Sequence, residues 1–97
     1  LMEARAYEQT DVFDAAVTFA RAEGILPAPE SSHAIRAAID EAMLCKESGE
    51  EKVIVFGLSG TGYYDLNAYR QFNEGTMTDF IPTDEDLEKG FSHIPKV

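Results

Sequence analysis

Ser59 is the residue of this chain best placed for chemistry. It stands between an apolar run, Val53-Ile54-Val55-Phe56, and a glycine-rich turn, Gly60-Thr61-Gly62. Glycines let a backbone approach a ligand and present its N–H groups, as in phosphate-binding turns, and the Ser59 hydroxyl adds a donor and an acceptor. A tight turn between two elements is the structural reading of the same four residues. A second cluster lies upstream, where Glu30-Ser31-Ser32-His33 follows Leu26-Pro27-Ala28-Pro29. Glu30 also suits a helix N-terminus, where the macrodipole favours an acid, and Ser31 and Ser32 read most simply as caps. Taken together the two clusters suggest a cofactor site more than a self-contained catalyst.

Several chemistries are excluded. No Lys-Ser/Thr follows the glycine turn and three spaced glycines are missing, so neither a P-loop nor a dinucleotide fingerprint is present. His33 has no second His or Cys at ligand spacing, so no metal is expected, and His93 reads as a solvated tail residue. No Ser/His/Asp or Cys/His nucleophile set assembles. Cys45, the single cysteine, reads as an inert helix thiol. Tyr63 and Tyr64 line a pocket or simply pack.

The net charge of −10 repels phosphate backbones and argues against nucleic acid. Much of the surplus falls in Glu47-Ser48-Gly49-Glu50-Glu51 and Asp84-Glu85-Asp86, which read as solvated charges. No apolar run approaches the ~20 residues that span a bilayer, and the expectation is a cytoplasmic protein without a membrane partner. Leu1 precedes Met2 in a chain of 97 residues, which suggests a piece of a longer protein.

The elements that must position these residues follow from periodicity and breakers. Residues 3–8 suit a short strand with Ala4 and Ala6 on one face. Thr10 or Asp11 can cap a helix with Phe13, Ala16, Val17 and Ala20 on its apolar stripe, ended by Gly24. Pro27 and Pro29 forbid regular helix before Ser31 and make a stiff connection. Ile35, Ala38, Ile39, Ala42 and Met43 mark the buried face of the next helix, with Gly49 as its stop. Residues 52–58 read as a strand whose continuous apolar character fits burial on both faces of a parallel sheet. A helix from about Asp65 to Gly75 carries Leu66, Tyr69 and Phe72. Thr83 can cap a last acidic helix, docked by Leu87 and Phe91. The expected fold class is therefore α/β, a fragment of a three-layer parallel sheet, with Ser59 at its carboxyl edge where ligands bind.

One resemblance joins the two clusters. Glu-Gly-Ile-Leu-Pro-Ala-Pro-Glu-Ser-Ser-His-Ala at 23–34, followed by a helix and then Leu-Ser-Gly-Thr-Gly at 58–62, resembles the C-terminal end of the tryptophan synthase beta chain family. The likeness runs from about Glu3 to the end of the chain. Pro29 before the glutamate, Tyr63-Tyr64-Asp65-Leu66 after the glycines, and the tail ending Ile94-Pro95-Lys96-Val97 are similar to the second, longer subclass of that family.

The resemblance implies a pyridoxal-phosphate enzyme of fold type II whose parent joins L-serine to indole. It implies that Ser59 hydrogen-bonds the pyridine nitrogen, that Glu30 lies near the ring, and that Gly60 belongs to the same cofactor contact. A hydroxyl does not hold a proton on that nitrogen as an aspartate would, which suits replacement at the β-carbon. The family's Schiff-base lysine and phosphate-binding glycine loop lie upstream, and Lys46, Lys52, Lys89 and Lys96 match no such motif. No catalytic residue is therefore expected in this chain, which is expected to be inactive alone. The implied division is residues 1–75 as the end of the cofactor-binding domain and 76–97 as a tail. A homodimer is implied, while partnership with an alpha chain is put in doubt by the subclass features. A serine or threonine dehydratase of the same fold type, or a free-standing α/β module for a small anion, are the alternatives.

Overall fold

The computed structural model describes residues 2–79 and 84–91. Four helices follow in order: α1 (Gln9–Glu23), α2 (Pro29–Ser48), α3 (Leu66–Glu74) and α4 (Asp84–Phe91), with a 3-10 turn over Gly62–Asp65 leading into α3. α1 and α2 pack on each other, and α3 closes against α1. Gly24, Gly49 and Gly75 end α1, α2 and α3 as the sequence suggests. Thr83, His93 and the tail 94–97 lie outside the described residues, as do the side chains of Leu87 and Phe91.

The described residues contain no strand, which corrects the expected three-layer parallel-sheet fold class. Residues 51–59 form neither helix nor ladder. An extended run becomes sheet only when a neighbouring strand takes its backbone groups, and the neighbours here are helices. Burial of the run on both faces also fails. Val53 and Val55 are 93% and 88% exposed, while Phe56 is half-buried and meets Phe19 of α1 edge-on, with ring centroids 6.1 Å apart. The alternation of an extended chain thus turns one face to the helices and the other to solvent. Residues 3–8 likewise form no strand; Arg5 pairs with Glu41 of α2 and fastens this segment to the helix.

The core is small and centred on α1. Phe13, Ala16 and Tyr69 are buried together, with Val17, Leu26, Phe72 and Met77 packed around them. Phe13 meets Tyr69 in a T-shaped contact at 5.0 Å and Phe72 in a stacked one at 6.1 Å. The stripe expected on α2 is buried only at its first turns: Ile35 is enclosed, Ala38 and Ile39 are half-buried, and Ala42 and Met43 are exposed. Nothing in the described chain covers the second half of that stripe. The accessible surface is 7777 Å², against about 5,500 Å² for a closed monomer of this mass.

The caps depart from local expectation. Neither Thr10 nor Asp11 caps α1, which begins at Gln9 with no side-chain cap from Glu8. Asp79 takes that role from 69 residues away, accepting from the Thr10 N–H at 2.9 Å and from the Thr10 hydroxyl at 2.8 Å. α2 begins at Pro29, with Ala28 before it, so Ser31 and Ser32 are already inside the helix and cap nothing. Proline suits this first position because its missing N–H would be unsatisfied there anyway.

Candidate functional site

The site is built where the connection before α2 meets the turn before α3. Pro27 and Pro29 hold that connection extended, which leaves its carbonyls free to accept. The Leu26 carbonyl takes the Gly62 N–H at 3.0 Å, and the Pro27 carbonyl takes the Tyr69 hydroxyl at 2.5 Å. Gly62 can sit there only because it lacks a side chain. A Cβ would lie 2.5 Å from the Pro27 carbonyl oxygen and 2.7 Å from Leu26 Cγ.

The third link is Ser31. Its hydroxyl donates to the Ser59 carbonyl at 2.7 Å and accepts from the Ser59 N–H at 3.1 Å. Ser31 is 7% exposed and Ser59 is on the surface. One hydroxyl therefore holds both backbone polar groups of a single residue from behind. Ser31 Oγ has one proton, which goes to the carbonyl. The 3.5 Å separation from Ser59 Oγ is too long to hold the second hydroxyl firmly. The Ser59 side chain is left available on the exposed side.

The structure thus brings Ser59 beside the first turn of α2, which carries Glu30. Glu30 is exposed. Gly60 adopts φ +70° and packs so closely that a Cβ would stand 3.3 Å from Ala28 Cβ, so this glycine serves the turn itself. Ser32 is fully enclosed and donates back to the Ala28 carbonyl at 2.9 Å. His33 points away from this corner into an open groove shared with Arg5 and Glu41. Tyr63 and Tyr64 are 71% and 92% exposed, so neither packs in this chain. Thr61, between the two glycines of the turn, accepts from the Tyr63 N–H at 3.3 Å and starts the 3-10 turn. Tyr69 and Asp79 are the residues that sequence reasoning missed as fasteners; a lone Tyr on a helix stripe and a lone Asp in a loop carry no local signal of a distant partner.

Electrostatic effects concentrate away from Ser59. Burial pushes the Tyr69 phenol up, against a hydrogen bond with Ser32 that lowers it. Hydrogen bonds from the Thr10 N–H and hydroxyl hold the Asp79 carboxyl below the usual range. Glu8 is raised, first by its hydrogen bond to Asp79 and then by that carboxylate's charge. No helix of the described chain is long and apolar enough to cross a membrane.

No protein-family model matches the chain. Known proteins do. The chain is 68% identical to the tryptophan synthase beta chain 2 of Aquifex aeolicus over 78 residues, which is 80% of this chain and 18% of that protein. It is 61% identical to the protein of the same name from Methanosarcina acetivorans over 77 residues, 79% of this chain and 17% of that one. It is 55% identical to the tryptophan synthase beta chain of Pyrococcus horikoshii over 82 residues, 84% of this chain and 18% of that one. The chain thus spans under a fifth of the length of the relatives it matches. With such identity over about 80% of its residues, the chain belongs to the tryptophan synthase beta chain family, as the C-terminal portion of a beta chain 2-like protein.

Proposed function

We propose that this segment forms one wall of a pyridoxal-phosphate site in a lyase that joins L-serine to indole and releases water, giving L-tryptophan. The observation that carries the reading is the Ser59 corner: an exposed hydroxyl on a backbone pinned from behind, next to Glu30 on the first turn of α2. The residues suit one edge of that cofactor. A neutral pyridine nitrogen needs a single donor, and the Ser59 hydroxyl has a proton no other group holds firmly. The cofactor, when bound, supplies the electron sink for replacement at the serine β-carbon.

The chain's own residues orient and tune. Ser59 donates to the ring nitrogen without carrying a charge that would protonate it. Glu30 would lie near the ring, and Gly60, at φ +70° and close against Ala28, would shape the turn that presents Ser59 to the cofactor. Residues 1–75 belong to the cofactor-binding part of the parent and 76–97 to its tail. The parent works in the cytoplasm as a homodimer, with a weaker dependence on an alpha chain than the common subclass. The segment alone is inactive, because no lysine here lies in a cofactor-binding motif.

The test is Ser59→Asp and Ser59→Ala in the full-length protein. Aspartate favours a protonated ring, since opposite charge stabilises the charged form, and the visible spectrum of the bound cofactor should shift. Alanine removes one hydrogen bond, on the order of 1 kcal/mol, and should weaken cofactor binding modestly. A folded Ser59→Asp protein with the unaltered cofactor spectrum would refute the reading.

A further inference from the structure

We infer that Ser31 is a positioning residue that sets where Ser59 presents its hydroxyl; this rests on the reading that Ser59 meets the cofactor nitrogen. Ser31 is itself withdrawn from any ligand, being 7% exposed. Its proton is committed to the Ser59 carbonyl at 2.7 Å and a lone pair to the Ser59 N–H at 3.1 Å. It caps no helix end, because α2 has already begun at Pro29.

The two bonds constrain one residue at both ends of its backbone. With its N–H and carbonyl both held, the Ser59 peptide planes cannot rotate without breaking a bond. The direction of its Cα–Cβ bond is then fixed relative to α2, and with it the distance from Ser59 to Glu30 on that helix. Neighbouring Gly60, at φ +70°, would otherwise let the turn swing, since glycine resists such rotation least. Among the described residues, segment 51–59 joins no ladder, and Ser31 supplies the polar tie between α2 and the residue that carries the ligand-facing hydroxyl.

Ser32 supplies the control. It is the adjacent serine, wholly buried, and its hydroxyl returns to Ala28 within its own helix. Ser31→Ala and Ser32→Ala delete the same atom one residue apart, and only the first touches Ser59.

The experiment uses the full-length protein and two readouts. In the cofactor-free protein, hydrogen exchange over residues 57–61 should accelerate about fivefold or more in Ser31→Ala, the size expected for one lost net hydrogen bond, and stay unchanged in Ser32→Ala. In titrations with pyridoxal phosphate, Ser31→Ala should weaken binding about three- to tenfold in the presence of Ser59, and add nothing further in a Ser59→Ala background. Unchanged exchange in Ser31→Ala overturns the clamp. Equal effects from Ser31→Ala and Ser32→Ala mean general loosening and also overturn it, as do additive losses in the double variant. Faster exchange in Ser31→Ala, with Ser59→Ala binding the cofactor as tightly as the unaltered protein, keeps the clamp and overturns the assignment of Ser59 to the cofactor.

Discussion

The Tyr69 hydroxyl donates to the Pro27 carbonyl at 2.5 Å across 42 residues of sequence. This bond ties α3 to the connection before α2, and the ring that carries it also packs edge-on against Phe13 at 5.0 Å. One side chain therefore fills the core and satisfies a carbonyl of the site's framework. Tyr69→Phe keeps the packing and leaves the carbonyl unpaired. A buried acceptor left unpaired costs roughly 1–3 kcal/mol, so the thermal midpoint of the chain should fall while its far-UV spectrum at low temperature stays the same. A midpoint equal to that of the parent chain would show that solvent replaces the bond.

Gly62→Ala should damage the same corner by crowding. The new methyl would meet the Pro27 carbonyl oxygen at 2.5 Å, and that oxygen is held in place by Tyr69. Overpacking of this kind costs roughly 1–3 kcal/mol. Gly57→Ala is the comparison, since nothing lies within 4 Å of its added Cβ and no positive φ is involved. Denaturant titration of both variants should show a loss for Gly62→Ala and little change for Gly57→Ala.

Glu8 and Asp79 give the fold a pH dependence of two opposite signs. Asp79 is depressed when folded, so its contribution is complete above the unfolded carboxylate value of about 3.9 and is lost as pH falls through its lower folded value. Glu8 is raised when folded, so its contribution is complete below the unfolded value of about 4.3 and is lost as pH rises through its higher folded value. Glu8→Gln removes the like charge beside Asp79. The midpoint difference between Glu8→Gln and the parent chain should favour the variant at pH 7 and shrink as pH falls toward 4. A difference that stays constant over that interval would contradict the pairing.

Val53 and Val55 make the isolated chain prone to self-association. Both stand almost fully in solvent on an extended segment whose backbone enters no ladder, and such an edge invites pairing with another chain. Exposed Met43 and Leu44 of α2 add to the uncovered apolar area. Sedimentation of the chain should show concentration-dependent oligomers, reduced in a Val53→Lys/Val55→Lys variant. A monomer at all concentrations would show that the exposed edge is harmless.

Helix positions were legible in the sequence because their causes are local. The 3.6-residue stripe around Phe13 and Ala16, the prolines before α2 and the glycines after α1, α2 and α3 act within a turn or two of the residues they govern. That Ser59 and the Glu30 string share one site was an expectation carried by the family resemblance, and the structure brings Ser59 against Ser31 of that string.

The rest depended on partners distant in sequence. The continuous apolar run at residues 53–58 suggests a strand, but does not say whether another strand lies beside it; that is a matter of which backbone groups meet in space. Likewise a serine at the start of a helix has a default use as a cap, and Ser31 forgoes it for Ser59, 28 residues on. Asp79 capping α1 and Tyr69 closing on Pro27 are choices of the same kind. The sequence by itself determined the helices, the glycines that stop them and the residue types available for chemistry, because short-range sterics and hydrogen bonding decide those. Only the tertiary structure decided which hydroxyl fastens and which is presented, because that depends on what each side chain finds within hydrogen-bond reach once the helices have packed.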